Sequence, residues 1–169
     1  MAIYHQQIYA IDVAVGMIRE ALQKSGTDKN TVIIYTSDNG FFCGSHGYGS
    51  KVLPYEESSR VPLIIYDPRH PNSGKKLRTS ALTGNIDFAP TILSLAGISS
   101  PENMDGKNLM TVYDKPKSSL HHSLPLINVW GKEPTHALGV VTEDMKYLYW
   151  GYAAKGFKPS NELYDLKKD

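Results

Sequence analysis

Asp38 and Asn39 stand directly after an unbroken, largely β-branched run, Thr31-Val32-Ile33-Ile34-Tyr35-Thr36. A carboxylate beside an amide oxygen offers two hard oxygen donors, the kind that Ca²⁺ or Mg²⁺ takes. The string Asp38-Asn39-Gly40 is also ordinary turn chemistry, because Asx side chains bond nearby backbone and glycine tolerates positive φ. Seven residues beyond Asn39 comes His46, in Gly44-Ser45-His46-Gly47, and five further on comes Lys51. An imidazole and an ammonium on one loop near a metal can hold a tetrahedral anion. Taken singly, each is equally at home in solvent. Tyr55-Glu56-Glu57-Ser58-Ser59-Arg60 closes the segment. Its carboxylates read either as a catalytic pair or as loop anchors, with Arg60 pairing to Glu56 or Glu57. The one cysteine, Cys43, reads as a loop or packing residue and excludes an intrachain disulfide or an all-cysteine metal site.

These residues need elements to position them. Tyr4, Ile8, Ile11, Val15, Ile18 and Leu22 recur every three or four residues, which predicts a helix over 4–25 ended by Gly26. Its apolar stripe fits packing on a sheet better than a three-heptad coiled coil. The 31–36 run predicts a strand buried on both faces, as in a parallel sheet, and ligands collect at the carboxyl ends of such strands. Val61–Tyr66 is a second strand, with Pro62 confined to its start or edge. A polar turn follows to Lys76. Residues 87–97 read as a short helix with Asp87 as N-cap, Pro90 in the tolerant first turn and Gly97 at the end. Residues 99–123 read as polar loop, with 115–119 as a linker and His121-His122 in solvent. Leu124–Trp130, Ala137–Thr142 and Lys146–Trp150 are three strands of a small antiparallel sheet. The class is α/β, divided at 1–115 and 116–169.

The 169 residues carry 18 Lys+Arg against 17 Asp+Glu, and 41% are hydrophobic. That supports a packed core, and it gives no electrostatic case for a nucleic-acid or anionic-membrane partner. Apolar runs fall short of the ~20 residues that span a bilayer. The helical pattern at Tyr4 has no lead-in and no secretion signal is visible, so the chain reads as part of something longer.

Order and spacing say more than any single residue. Ser-Asp-Asn-Gly, then Gly-x-His-Gly, then Lys51, then Tyr-Glu-x-Ser-x-Arg-Val-Pro-Leu-Ile-Ile resembles the sulfatase family of the alkaline phosphatase superfamily. Asn85–Gly97 resembles its Asp-x-x-Pro-Thr-Leu-Leu-x-Leu-Ala-Gly helix, and Met104–Leu109 its following Asp-Gly turn. Lys146–Trp150 and Glu162–Leu166 are similar to its closing strand and its Glu-Leu-Tyr-Asp-Leu tail. The resemblance implies the C-terminal part of an alkaline-phosphatase-like sulfatase fold. It implies that Asp38 and Asn39 are two ligands of a Ca²⁺ ion, with Mg²⁺ the lesser choice. Lys51 would contact sulfate oxygens, His46 would donate to the sulfate or the leaving oxygen, and His136 would reach the substrate from the tail. The family's nucleophile is a formylglycine made in a Cys/Ser-x-Pro/Ala-x-Arg motif. Cys43-Gly44-Ser45-His46-Gly47 has neither the Pro/Ala nor the Arg, so the formylglycine and the paired aspartates of the calcium site would lie before Met1.

The implied function is therefore part of a site for sulfate-ester hydrolysis, inactive alone, on aryl, choline or carbohydrate sulfates. An open sheet edge would be covered by another chain or a second copy. Phosphate- or phosphonate-ester hydrolysis is the related alternative, against which Asn39 speaks, since zinc members commonly place His there. A non-catalytic anion- or partner-binding module is the third. Complete members are often periplasmic, secreted or lysosomal, and the sequence leaves the compartment open.

Overall fold

The computed structural model describes residues 2–168. Helix α1 (Ala2–Lys24) forms as its periodicity requires, and Gly26 at φ 70 turns the chain out of it. Its apolar stripe does not pack on a sheet within this chain. Ile8, Ile11 and Ile18 are 49%, 46% and 58% exposed, while Val15 and Leu22 are half-covered. Tyr4 stacks on Phe41 with ring centroids 6.3 Å apart. The reason is size: a helix of 23 residues is ~35 Å long, and the neighbouring sheet has two strands of four residues.

Those strands are β1 (Ile33–Thr36) and β2 (Leu63–Tyr66), paired antiparallel with Ile33 opposite Tyr66 and Thr36 opposite Leu63. The expected parallel strand buried on both faces is corrected on both counts, since β1 is half-buried at every position. A continuous apolar run reports low polarity, not strand direction, and two strands alone leave one face of β1 uncovered. Pro62 stands just before β2, where its missing N–H breaks no ladder bond.

In the turn after β2, buried Asp67 takes both Arg69 side-chain bonds, Nε at 2.9 Å and Nη2 at 3.1 Å, and the Arg69 backbone N–H at 3.0 Å. The Arg69 guanidinium holds the Asp67 carboxyl below its usual range. A depressed carboxylate contributes stability that is present above its unfolded value and lost as pH falls through its folded one. Asp67→Asn should therefore melt a few degrees lower at neutral pH, with the gap closing below about pH 4. A gap that stays constant down to pH 3 in thermal scans would sink this assignment.

A single 3-10 turn (Asn85–Asp87) leads into α3 (Phe88–Leu95), with Pro90 in its first turn. Gly97 at φ 71 ends it, and the Ile98 N–H returns to Leu93 O at 2.9 Å. Asp87 stands at the N-cap of α3 as expected from sequence, but its side chain makes no cap bond to that helix. The helical path starts one turn earlier, which places Asp87 inside it at φ −81. Its carboxylate instead accepts the backbone N–H groups of Gly84 (2.8 Å) and Lys107 (2.8 Å) and lies 2.7 Å from His121 Nε2.

His121, expected in solvent, is thus buried. A short helix also interrupts the expected loop, α4 (Met110–Asp114), too brief to show a period. Leu109, Val112 and Leu120 form the core, flanked by Leu63, Ile65, Ala81 and Phe88. Thr91 Oγ1 donates to Asp87 O at 2.6 Å and accepts the Leu109 N–H at 2.8 Å, tying α3 to that core.

The tail is a four-stranded antiparallel sheet in chain order: β3 (Leu124–Asn128), β4 (Ala137–Val141), β5 (Met145–Trp150) and β6 (Ser160–Asp165). Lys146 and Leu148 of β5 point inward and are fully buried. Ile127, Leu138, Tyr149 and Leu163 lie exposed on the outer face. Among the described residues, no helix is long and apolar enough to cross a membrane.

Candidate functional site

The 38–60 loop leaves β1 and returns to β2 over a four-residue helix, α2 (Glu56–Ser59). Both its ends hang on Ser58. The Gly40 N–H donates to Ser58 O at 2.8 Å, and the Val52 N–H to Ser58 Oγ at 3.0 Å. Gly40 is required at that point, since a Cβ there would lie 2.0 Å from Glu57 O. Cys43, His46 and Val52 all have positive φ, at 53°, 54° and 99°. For β-branched Val52 this is real backbone strain. Phe42 is buried beneath the loop, and Cys43 is half-buried and free.

The loop brings Lys51 back to the end of β1. Its Nζ donates to Asn39 Oδ1 at 3.0 Å. Asp38 is exposed next to it, and its Oδ1 accepts the Asn39 N–H at 2.9 Å. The carboxylate, amide and ammonium are therefore neighbours at a strand's carboxyl end. His46 stands half-exposed on the same loop, with Nε2 3.2 Å from Glu57 Oε1 and its ring stacked on Tyr55 at 5.2 Å. His136 is placed elsewhere, in the tail: its Nε2 lies 3.1 Å from Gly131 O and its ring meets the edge of Tyr152.

Arg60 is not the partner of Glu56 or Glu57 among the described residues. Glu57 pairs with His46, and Glu56 with Lys146. Arg60 is the C-cap of α2, already in extended backbone (φ −93, ψ 125).

The tail sheet backs the loop. Lys146 Nζ donates to Pro54 O at 3.1 Å and Ser59 Oγ at 2.8 Å, besides its pairing with Glu56. Burial pushes the Lys146 ammonium below its usual range, against the opposing pull of Glu56. The Tyr55 hydroxyl donates to Glu162 Oε1 at 3.3 Å, and Tyr164 donates to the other oxygen at 2.9 Å. Burial, then the Glu162 charge, pushes the Tyr55 hydroxyl well above its usual range. Sequence reasoning missed this wall. The available signal was parity: Lys146 shares its strand face with Leu148 and must point inward.

Asp38 and Asn39 are hard oxygen donors of the right kind for Ca²⁺, but Ca²⁺ takes about six to eight oxygens. Among the described residues there is no group of three or more His, Cys, Asp or Glu that could hold a metal. The Asn39 side-chain oxygen also already accepts from Lys51. The pair fits part of a cation site, not a whole one.

Comparison with known proteins identifies the family. The Sulfatase family model matches residues 1–98. The N-acetylglucosamine-6-O-sulfatase of Bacteroides thetaiotaomicron is 33% identical, over 98% of this chain and 30% of its own length. An arylsulfatase of Clostridium perfringens is 31% identical, over 99% of this chain and 34% of its own length. A protein solved in complex with its substrate D-glucosamine-2-N,6-O-disulfate superimposes with a TM-score of 0.85 at 32% identity, over 96% of this chain and 33% of that one. The chain spans about a third of the length of the relatives it matches. With the motifs in family order from Ser37 to Leu166 and the same fold around them, the chain belongs to the sulfatase family and corresponds to its C-terminal portion.

Proposed function

We propose that this chain supplies one part of a site that hydrolyses sulfate esters, and that it is inactive by itself. The observation that carries the reading is Lys51 Nζ held 3.0 Å from Asn39 Oδ1 at the end of β1, in a sulfatase-family chain. An ammonium fixed beside two hard oxygens can share its charge between the protein and a sulfate oxygen. His46, half-exposed on the same loop, can donate to the sulfate or protonate the departing alkoxide. Asp38 and Asn39 would hold Ca²⁺ together with ligands from outside these residues. When bound, that ion supplies positive charge at the sulfate oxygens. The nucleophile, a formylglycine in this family, would also come from elsewhere, because the surroundings of Cys43 do not fit its maturation motif.

In this proposal residues 1–115 carry the site and 116–169 form the wall behind it, from which His136 would reach the substrate. The names of the relatives support carbohydrate or aryl sulfates as the substrate class.

Two measurements test this. Inorganic sulfate titrated into the full chain, followed by NMR at Lys51 and His46, should bind, and Lys51→Ala should weaken it about tenfold. An unresponsive wild-type chain would overturn the anion-site reading. Aryl-sulfate hydrolysis by the purified chain with Ca²⁺ should not exceed that of Lys51→Ala. Turnover abolished by Lys51→Ala would instead place the nucleophile within these residues.

A further inference from the structure

We infer that Lys146 is a positioning residue for the anion-binding loop, acting from the tail sheet through α2. The inference rests on the reading of that loop given above. Three groups of the candidate site depend on α2. Gly40, next to Asn39, and Val52, next to Lys51, both bond Ser58. His46 faces Glu57. A four-residue helix cannot hold its own geometry, because nucleating a single turn is unfavourable. What fixes it is Lys146, which reaches the residue before Tyr55 through Pro54 O, the first turn through Glu56 and the last residue through Ser59 Oγ.

The ammonium is almost wholly buried, so its three partners replace water rather than add to it. Lys146 touches neither Asn39, His46 nor Lys51 in these contacts; it acts through the helix that carries their supports. The tail sheet is thereby more than a cover: it sets the spacing between the two ends of the loop.

The test uses the full chain. Lys146→Met keeps length and apolar stem but removes charge and donors. Amide exchange at Gly40 and Val52 should become about tenfold faster or more, while exchange in β4 stays as in the wild type. Inorganic sulfate affinity should fall about tenfold, and Lys146→Arg should recover most of it. A merely structural lysine would not show that localised pattern with rescue by arginine. Unchanged exchange at Gly40 and Val52 overturns the inference, and so does faster exchange with sulfate affinity intact. If Lys146→Met fails to fold, Glu56→Ala removes one of the three partners and leaves the other two in place, and it should show the same pattern, smaller. Exchange is read without sulfate. A wild-type chain that binds no sulfate therefore removes the functional reading while the Lys146–α2 linkage is still judged on its own.

Discussion

Asp87→Ala is expected to lower the unfolding free energy by about 3–5 kcal/mol, since three buried partners each left without an acceptor cost about 1–3 kcal/mol. The carboxylate has no exposed surface and joins three separate stretches of chain: the turn at Gly84, the strap at Lys107 and the segment at His121. Truncation leaves two backbone donors and an imidazole without that acceptor in a buried pocket. Against a typical domain stability of about 5–15 kcal/mol, that is a large share. Asp87→Asn keeps the shape and one acceptor oxygen, so it should fall between alanine and wild type. Urea unfolding gives the numbers. A midpoint for Asp87→Ala within error of the wild type would mean that the three segments hold together without it.

The second large effect is expected at Gly40, where structure and site meet. A methyl group there would lie 2.0 Å from the Glu57 carbonyl oxygen and 2.9 Å from its carbon, both backbone atoms that no rotamer change can move. Gly40→Ala must push α2 away and break the 2.8 Å bond from Gly40 to Ser58. About 3 kcal/mol of stability should be lost, the upper part of the range for overpacking. Sulfate binding should go with it, because Asn39 and Lys51 part when the loop opens. Gly49 in the same loop has nothing within 4 Å of its would-be Cβ. Gly49→Ala should stay within about 0.5 kcal/mol of the wild type. Equal losses at the two glycines would show that loop flexibility, not the contact with Glu57, is what matters.

Much of this was legible in the residues. The stripe from Tyr4 to Leu22 is long enough to define α1, and the alternating apolar positions after Leu124 define three of the four tail strands. The grouping of Asp38, Asn39, His46 and Lys51 on one loop followed from order and spacing, and Lys51 does return to Asn39. What was not legible depends on partners remote in sequence. The direction of β1 is set by β2, and the missing cover of α1 by the smallness of that sheet. Glu56 chose Lys146 over Arg60 because Arg60 leaves the helix, which a list of charges does not show. His121 looked like half of a solvated pair, yet a carboxylate 34 positions earlier draws it inside. α4 was lost because five residues carry too little periodicity.

The distance along the chain between the groups that close the wall behind the loop has a cost of its own. Each strand of the tail pairs with its immediate successor, and the β4–β5 turn needs only residues 142–144. The Tyr55–Glu162 bond, by contrast, ties residues 107 positions apart, and Lys146 reaches back 87 and 92 positions. Loop-closure entropy rises by about 0.6 kcal/mol per doubling of length, so these ties carry roughly 2–3 kcal/mol more than a tight hairpin. The sheet can form from neighbours alone, whereas the wall behind the loop closes only once distant parts of the chain have met. In entropic terms, the ties between the loop and the tail are closures that the polymer resists more than those of the sheet.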